Sequence, residues 1–201
     1  MTSETDPNEL TIRPLTPETW PAFAALVERH NGIFGGCWCT YFHSIERDPE
    51  RTYESNRDLK CGLVESGRAH AALVFDADEA VGWAEYGPPE ELPNLHHRAE
   101  YERELQTLPD YRVTCIFVDR RYRRRGVAAL ALRGALDLIA RAGGGVVEGY
   151  PHDMSKQPEG KKMSSSFLYN GTRRMYEEAG FTFDRSKGLK NCVMTRTVAP
   201  S

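Results

Sequence analysis

The sequence predicts a single α/β domain with a central sheet flanked by helices, and three observations carry that reading. Residues 112–118 form a run rich in β-formers, with Val113, Cys115, Ile116, Phe117 and Val118, that has little polar relief. Such a run suits a strand buried on both faces. Next comes a long amphipathic segment, about Gly126 to Ala142, whose Val127, Leu130, Ala131, Ala135, Leu138 and Ile139 recur at helical spacing. A second short apolar run, Val146 to Tyr150, follows after Gly143-Gly144-Gly145. Strand, helix and strand in that order fit an α/β domain.

The remaining elements fit around this unit. Residues 1–9 are small and polar and read as a loose tail, so the domain is expected over 10–198. Leu10 to Arg13 reads as a first strand stopped by Pro14. Thr16-Pro17-Glu18 reads as a helix start, with Thr16 as N-cap, Trp20, Phe23, Ala24 and Val27 on the apolar face and Asn31-Gly32 as the stop. A charged helix is expected from about Pro49 to Leu63. Ala69–Phe75 and Ala80–Tyr86 read as a hairpin, ended by Gly87-Pro88-Pro89. No form is assigned to 90–110. Loop 151–166 lacks an apolar period and is long enough to suggest a substrate-side lid. A last helix is expected over 167–178, followed by a hairpin of Phe181–Phe183 and Cys192–Thr195.

Composition narrows the function classes. The chain has 201 residues, 26 Lys plus Arg against 29 Asp plus Glu, and a formal charge of -3, which argues against global attraction to nucleic acid. No run approaches the roughly 18 apolar residues of a membrane span. The five cysteines are odd in number and lack a disulfide framework's spacing, so a reducing cytoplasm is the expected location. Cys37 and Cys39 lack the four-ligand spacing of a zinc site, and no metal is expected.

The basic residues are concentrated locally. Five of the six residues from Arg120 to Arg125 are arginine, and they join the buried strand to the start of the amphipathic helix. Free amides and the helix dipole favour an anion there. Gly126 allows close approach to the main chain, and the guanidinium forks of Arg123, Arg124 and Arg125 suit phosphate. This is the physical pattern of a diphosphate-binding turn.

Arg123-x-x-Gly126-x-Ala128 after that strand resembles the coenzyme A signature of the GCN5-related N-acetyltransferase (GNAT) family. Met175-Tyr176-Glu177-Glu178-Ala179-Gly180-Phe181 is similar to the late helix of that family. The resemblance spans roughly 10–198 and implies the GNAT fold, with acetyl-CoA in a cleft between two splayed parallel strands. It implies that Phe117 and Val118 offer backbone groups to the pantetheine arm, and that Arg123 to Ala128, Val127 included, hold the pyrophosphate. It makes Tyr176 the general acid that protonates the leaving sulfur. An amine of a small molecule or protein then attacks the thioester directly in a ternary complex.

The general base stays open between Glu85 and Glu148, each a carboxylate on an apolar strand, where burial would raise its pKa toward neutrality. His96, His97 and His152 read as surface residues. Trp38, Tyr41 and Phe42 are expected to line an acceptor pocket. Cys115 reads as core. The sequence departs from the family at Tyr169, where an asparagine is usual seven positions before the helix tyrosine. The alternative is a coenzyme A-binding sensor that performs no transfer. Oligomeric state is not legible, and the family's frequent dimers make a homodimer one option.

Overall fold

A computed structural model describes residues 10–45, 50–153 and 169–201. The tail 1–9, the start of the expected helix at Pro49, most of the loop expected as a lid and the start of the helix expected at Phe167 lie outside them. One seven-stranded sheet organises the chain, in the order β1-β2-β3-β4-β5-β7-β6. The strands are β1 Thr11–Pro14, β2 His70–Asp76, β3 Glu79–Gly87, β4 Tyr111–Val118, β5 Gly145–Gly149, β6 Thr182–Lys187 and β7 Asn191–Val198. Only β4 and β5 are parallel; every other pair is antiparallel. The helix that crosses over between them, α4 (Val127–Arg141), buries Val127, Ala131, Ala135 and Ile139 against one face. The other face is covered by α1 (Trp20–Arg29) and α2 (Tyr53–Glu65). Two short helices, α3 (Arg98–Glu104) and α5 (Arg173–Glu178), complete the set among the described residues.

Helix starts are where the structure departs from expectation. Helix α1 begins at Trp20, with Thr19 rather than Thr16 at the N-cap. The Thr19 hydroxyl accepts from the Thr16 amide at 2.9 Å and donates to the Pro14 carbonyl at 2.7 Å, so Thr16–Thr19 is a tied turn. Residues 169–172 are likewise not helical. The Thr172 side chain caps α5 by accepting from the Met175 amide, which delays the helix to Arg173. Within the unassigned 90–110 stretch lies α3.

Strand β4 controls the middle of the sheet. It pairs with β5 over only Tyr111, Arg112 and Val113. Against β3, Tyr86 faces Val113 and Ala84 faces Ile116, so Thr114 and Cys115 together oppose the single residue Glu85. That is a β-bulge, which bends the strand carrying the extra residue. The bend follows directly on the last β4–β5 pair, and beyond it β5 no longer partners β4.

Helix α2 is pinned to this bulge by a buried charge cluster. Lys60 Nζ donates to Glu85 Oε1 at 2.6 Å, and Thr114 Oγ1 donates to Glu85 Oε2 at 2.7 Å. Lys60 also reaches the Cys39 carbonyl at 3.3 Å and His43 Nε2 at 3.0 Å. Burial and Lys60 both push the His43 pKa down. A neutral imidazole then accepts from Lys60 and donates from Nδ1 to the Glu91 carbonyl at 2.9 Å. Burial alone would raise Glu85, but the Lys60 ammonium outweighs it and holds the carboxyl down at about 2.

Glu85→Gln should therefore strand a buried ammonium and cost about 3–5 kcal/mol. In a chain this long that is a fall of about 6–20 °C in Tm by thermal unfolding. The double change Glu85→Gln with Lys60→Met should recover most of the loss, because no unpaired charge is left. A carboxyl held below its ordinary 4.5 stabilises the fold fully above that pH. Stability measured by denaturant titration should fall as pH drops from there through about 2.

Candidate active site

The gap opened by the β4 bulge is edged by main-chain groups of alternating direction. The Asp119 amide donates to the Val81 carbonyl on β3 at 2.8 Å, so Phe117, two residues earlier, also turns its backbone toward β3. Its ring stacks on Trp83 at 4.7 Å. This corrects the expectation for Phe117, whose backbone groups belong to the β3–β4 ladder. Ile116 and Val118 face the gap instead, and the Ile116 amide donates to the Tyr169 carbonyl at 2.6 Å.

At one end of the gap stands the arginine turn. Asp119 shapes it by accepting from the Arg121 amide at 2.9 Å and from the Arg121 guanidinium at 2.8 Å. Burial opposes ionisation of Asp119, but Arg121 and His30 prevail and hold its carboxyl at about 2. Arg121 also pairs with Glu79, so this arginine is a strut of the turn. Arg123, Arg124 and Arg125 are exposed. Arg124 and Gly126 adopt positive φ, 63° and 76°, and nothing lies within 4 Å of the place a Gly126 Cβ would take. The first helical hydrogen bond runs from the Leu130 amide to the Gly126 carbonyl, so the amides of Val127 and Ala128 precede the ladder. Positive side chains, amides that precede the helical ladder and an open glycine can together take an anion.

Between β4 and β5, at the far end of the last paired residues, sits Tyr176. Its ring lies edge-on to Phe181 at 4.9 Å, and a Cβ on Gly149 would stand 2.0 Å from Tyr176 Cε1. Only glycine at that strand end admits the ring. The Tyr176 hydroxyl is buried and has no hydrogen-bond partner among the described residues. Burial raises its pKa, so it is a protonated donor at neutral pH.

A cavity of about 550 Å³ lies on the α1–α2 side of the same gap. Cys115, one half of the bulge, forms part of its wall together with Cys37 and Cys39. Burial raises the thiol pKa of Cys37 and of Cys39, which keeps both protonated. Tyr41 and Phe42 line the cavity as expected for a pocket, joined by Phe34 and Tyr169. Trp38 does not. Its backbone takes φ 51° and its ring turns into the core, stacked on Trp20 at 6.0 Å and edge-on to Tyr53 at 5.4 Å. Cys37 and Cys39, on either side, face the cavity instead.

His97 is exposed as expected, but the other two histidines are placed differently. His96 is half-buried, stacked on Tyr41 at 4.5 Å, and hydrogen-bonds through Nδ1 with the Tyr41 hydroxyl at 3.1 Å. Burial and nearby Lys187 push its pKa down to about 4. His152 is buried, in bridge pairing with Thr172 and Asn191. Both line the cavity with His97. No spacing in the sequence signals this, because strands and loops far apart in the chain bring the rings together.

Neither candidate base reaches the cavity wall. Glu85 is locked to Lys60, and its pKa is lowered where burial alone was expected to raise it. Glu148 accepts from the Tyr101 hydroxyl at 2.7 Å and the Tyr150 hydroxyl at 2.9 Å inside the fold. Both carboxylates are structural partners in hydrogen-bond networks.

Comparison with known proteins agrees with this architecture. The model of the acetyltransferase (GNAT) family matches residues 25–149. A search of curated proteins found no match. Among solved structures, the GNAT-family acetyltransferase of Streptococcus pneumoniae aligns over 95% of this chain and 100% of its own, at 16% identity and a TM-score of 0.50. The ribosomal-protein-S5-alanine acetyltransferase of Vibrio fischeri aligns over 96% of both chains at 11% identity and a TM-score of 0.51. No described helix is long and apolar enough to cross a membrane. With a family match over more than half its length and the strand–turn–helix geometry in place, the chain belongs to the GNAT family of acetyltransferases.

Proposed function

We propose that the protein is an acetyl-CoA-dependent N-acetyltransferase that passes the acetyl group directly to an amine. The observation that carries this reading is the Tyr176 hydroxyl, buried without a partner among the described residues where β4 and β5 part. A buried donor without a partner costs about 1–3 kcal/mol, a cost that a ligand atom in the gap would offset. The open Gly126 and the amides of Val127 and Ala128 fit a pyrophosphate, with the positive charges of the exposed Arg123, Arg124 and Arg125 on the same turn. Val118 offers backbone groups along the gap for an extended arm.

Acetyl-CoA supplies an activated thioester, whose carbonyl is attacked by a neutral amine and whose sulfur leaves as a thiolate. Tyr176 donates its proton to that leaving sulfur. The proton that the amine nitrogen loses as the amide forms returns to Tyr176 through water, so the donor is restored and the products are the neutral amide and the thiol. The Val118 amide, which faces the gap on β4, stabilises charge growing on the carbonyl oxygen. Glu85 stays ionised and paired with Lys60, so it orders the bulge rather than accepting a proton. The cavity beside Cys115 receives the acceptor. The family's coenzyme A chemistry and the intact tyrosine favour catalysis over a sensor role.

Two measurements test the reading. Acetyl-CoA at a hundredfold excess over Kd should stabilise the protein by about 2.7 kcal/mol, or about 5–11 °C in Tm. Ala128→Glu, which sets a carboxylate at the anion site without altering a positive φ, should abolish that shift; an unchanged shift would remove the turn from the cofactor site. Tyr176→Phe should lower kcat by about 10²–10⁴ on any acceptor the wild type uses. Its Tm should hold or rise, because the unpartnered hydroxyl is gone. Unchanged turnover would discard the acid role.

A further inference from the structure

We propose that the acceptor is an amine carried on a flat, uncharged aromatic body, seated among the rings of Phe34, Tyr41, Phe42, His96 and Tyr169. This rests on reading the site as that of an N-acetyltransferase, and it names the substrate class.

The cavity is walled by a continuous set of rings. Tyr41 stacks on His96 at 4.5 Å and meets Phe42 edge-on at 5.1 Å. Tyr169 stands 5.5 Å from His96, 6.3 Å from Phe42 and 5.9 Å from Phe34, in tilted or edge-on geometry. A wall built of aromatic side chains complements another aromatic ring. The volume, about 550 Å³, suits a molecule of one or two rings. The inner wall is equally selective. The thiols of Cys37, Cys39 and Cys115 are weak hydrogen-bonding groups, so this part of the wall favours an apolar ligand surface.

Charge separates the aromatic amine from a polycationic one. Among the described residues no carboxylate lines the cavity, and the ionised side chain in its wall is Lys190. Lys187 is close enough to lower the pKa of His96, and burial keeps that imidazole neutral at pH 7. Ring faces attract a cation. A chain with several ammonium groups, however, would bring the extra charges toward Lys190 with no counter-ion in the wall. A body bearing a single amine pointed at β4 avoids that. Cys115 places the cavity beside Ile116, on the part of β4 that has left β5, so an amine held by these rings projects toward the gap.

Titration calorimetry with 2-phenylethylamine, hexylamine and spermidine, with and without coenzyme A, tests the proposal. 2-Phenylethylamine should bind at least about tenfold more tightly than either aliphatic amine. Tyr41→Ala should weaken it by about tenfold and leave coenzyme A binding unchanged. Phe34→Ala, at an exposed position that the fold does not need, should weaken it in the same direction. Equal or tighter binding of hexylamine or spermidine overturns the proposal, as does the absence of any amine binding to folded protein. Aromatic binding that persists while coenzyme A fails to bind upholds the cavity's preference and overturns the acetyltransferase reading. Coenzyme A binding with the amine order reversed does the opposite.

Discussion

The β-bulge at Thr114 and Cys115 is the constraint on which the rest of the site depends. By setting two residues of β4 against Glu85 alone, it bends the strand just after its last pair with β5. Unpaired backbone edges inside a sheet are costly unless something pairs with them, and here the bend creates such an edge near the centre. Tyr169 occupies part of it through its carbonyl. The bulge also turns Thr114 and Cys115 to the same side. Thr114 thereby reaches Glu85, and Cys115 reaches the cavity. One extra residue thus sets the strand's departure, the anchor of α2 and part of the cavity wall.

The buried cluster of Lys60, Glu85, His43 and Thr114 is the counterweight to that bend. A bulge forfeits regular ladder bonds, and this one is backed by a carboxylate receiving donors from β4 and from α2. Through the Cys39 carbonyl and His43, the same lysine holds the segment that carries Tyr41 and Phe42. Asn56, one turn earlier on α2, donates to the Gly36 carbonyl and accepts from the Thr40 hydroxyl. Helix α2 is therefore the frame on which the aromatic wall is hung. A buried ion pair is weak evidence for stability in general, but one that contacts two sides of a cavity gives that cavity a single shape.

How much of this was legible in the sequence depended on the range of the forces involved. Periodicity identified β4, α4 and β5, because burial on two faces and on one stripe leaves local patterns. The arginine turn was legible for the same reason, since Gly126 and the guanidinium groups act within a few residues of one another. The role of Glu85 was not. Its strand neighbours said only that it was buried, and burial alone raises a carboxyl pKa. The lysine that reverses the sign stands 25 residues away on a helix whose buried face is mostly polar. Trp38 was misplaced because alternation in an irregular loop cannot be counted from composition. Three consecutive residues in that loop point to cavity, core and cavity only once φ 51° and 57° at Trp38 and Cys39 are known.

Tyr176 and Gly149 show how a local motif acquires its chemistry from a distant partner. The late-helix pattern identified the tyrosine, yet helix α5 alone would leave its side chain free to choose a rotamer. The close approach of the ring to Gly149 removes that choice, since any side chain there would collide with it. Gly149 is also the last residue of β5 to pair with β4. The point where the strands part and the point where the ring must sit are therefore the same residue, and the ring is held there by steric exclusion rather than by a hydrogen bond among the described residues. A hydroxyl positioned in this way has no bond to a described acceptor to give up, whereas one held by a protein acceptor would have to break that bond before donating elsewhere.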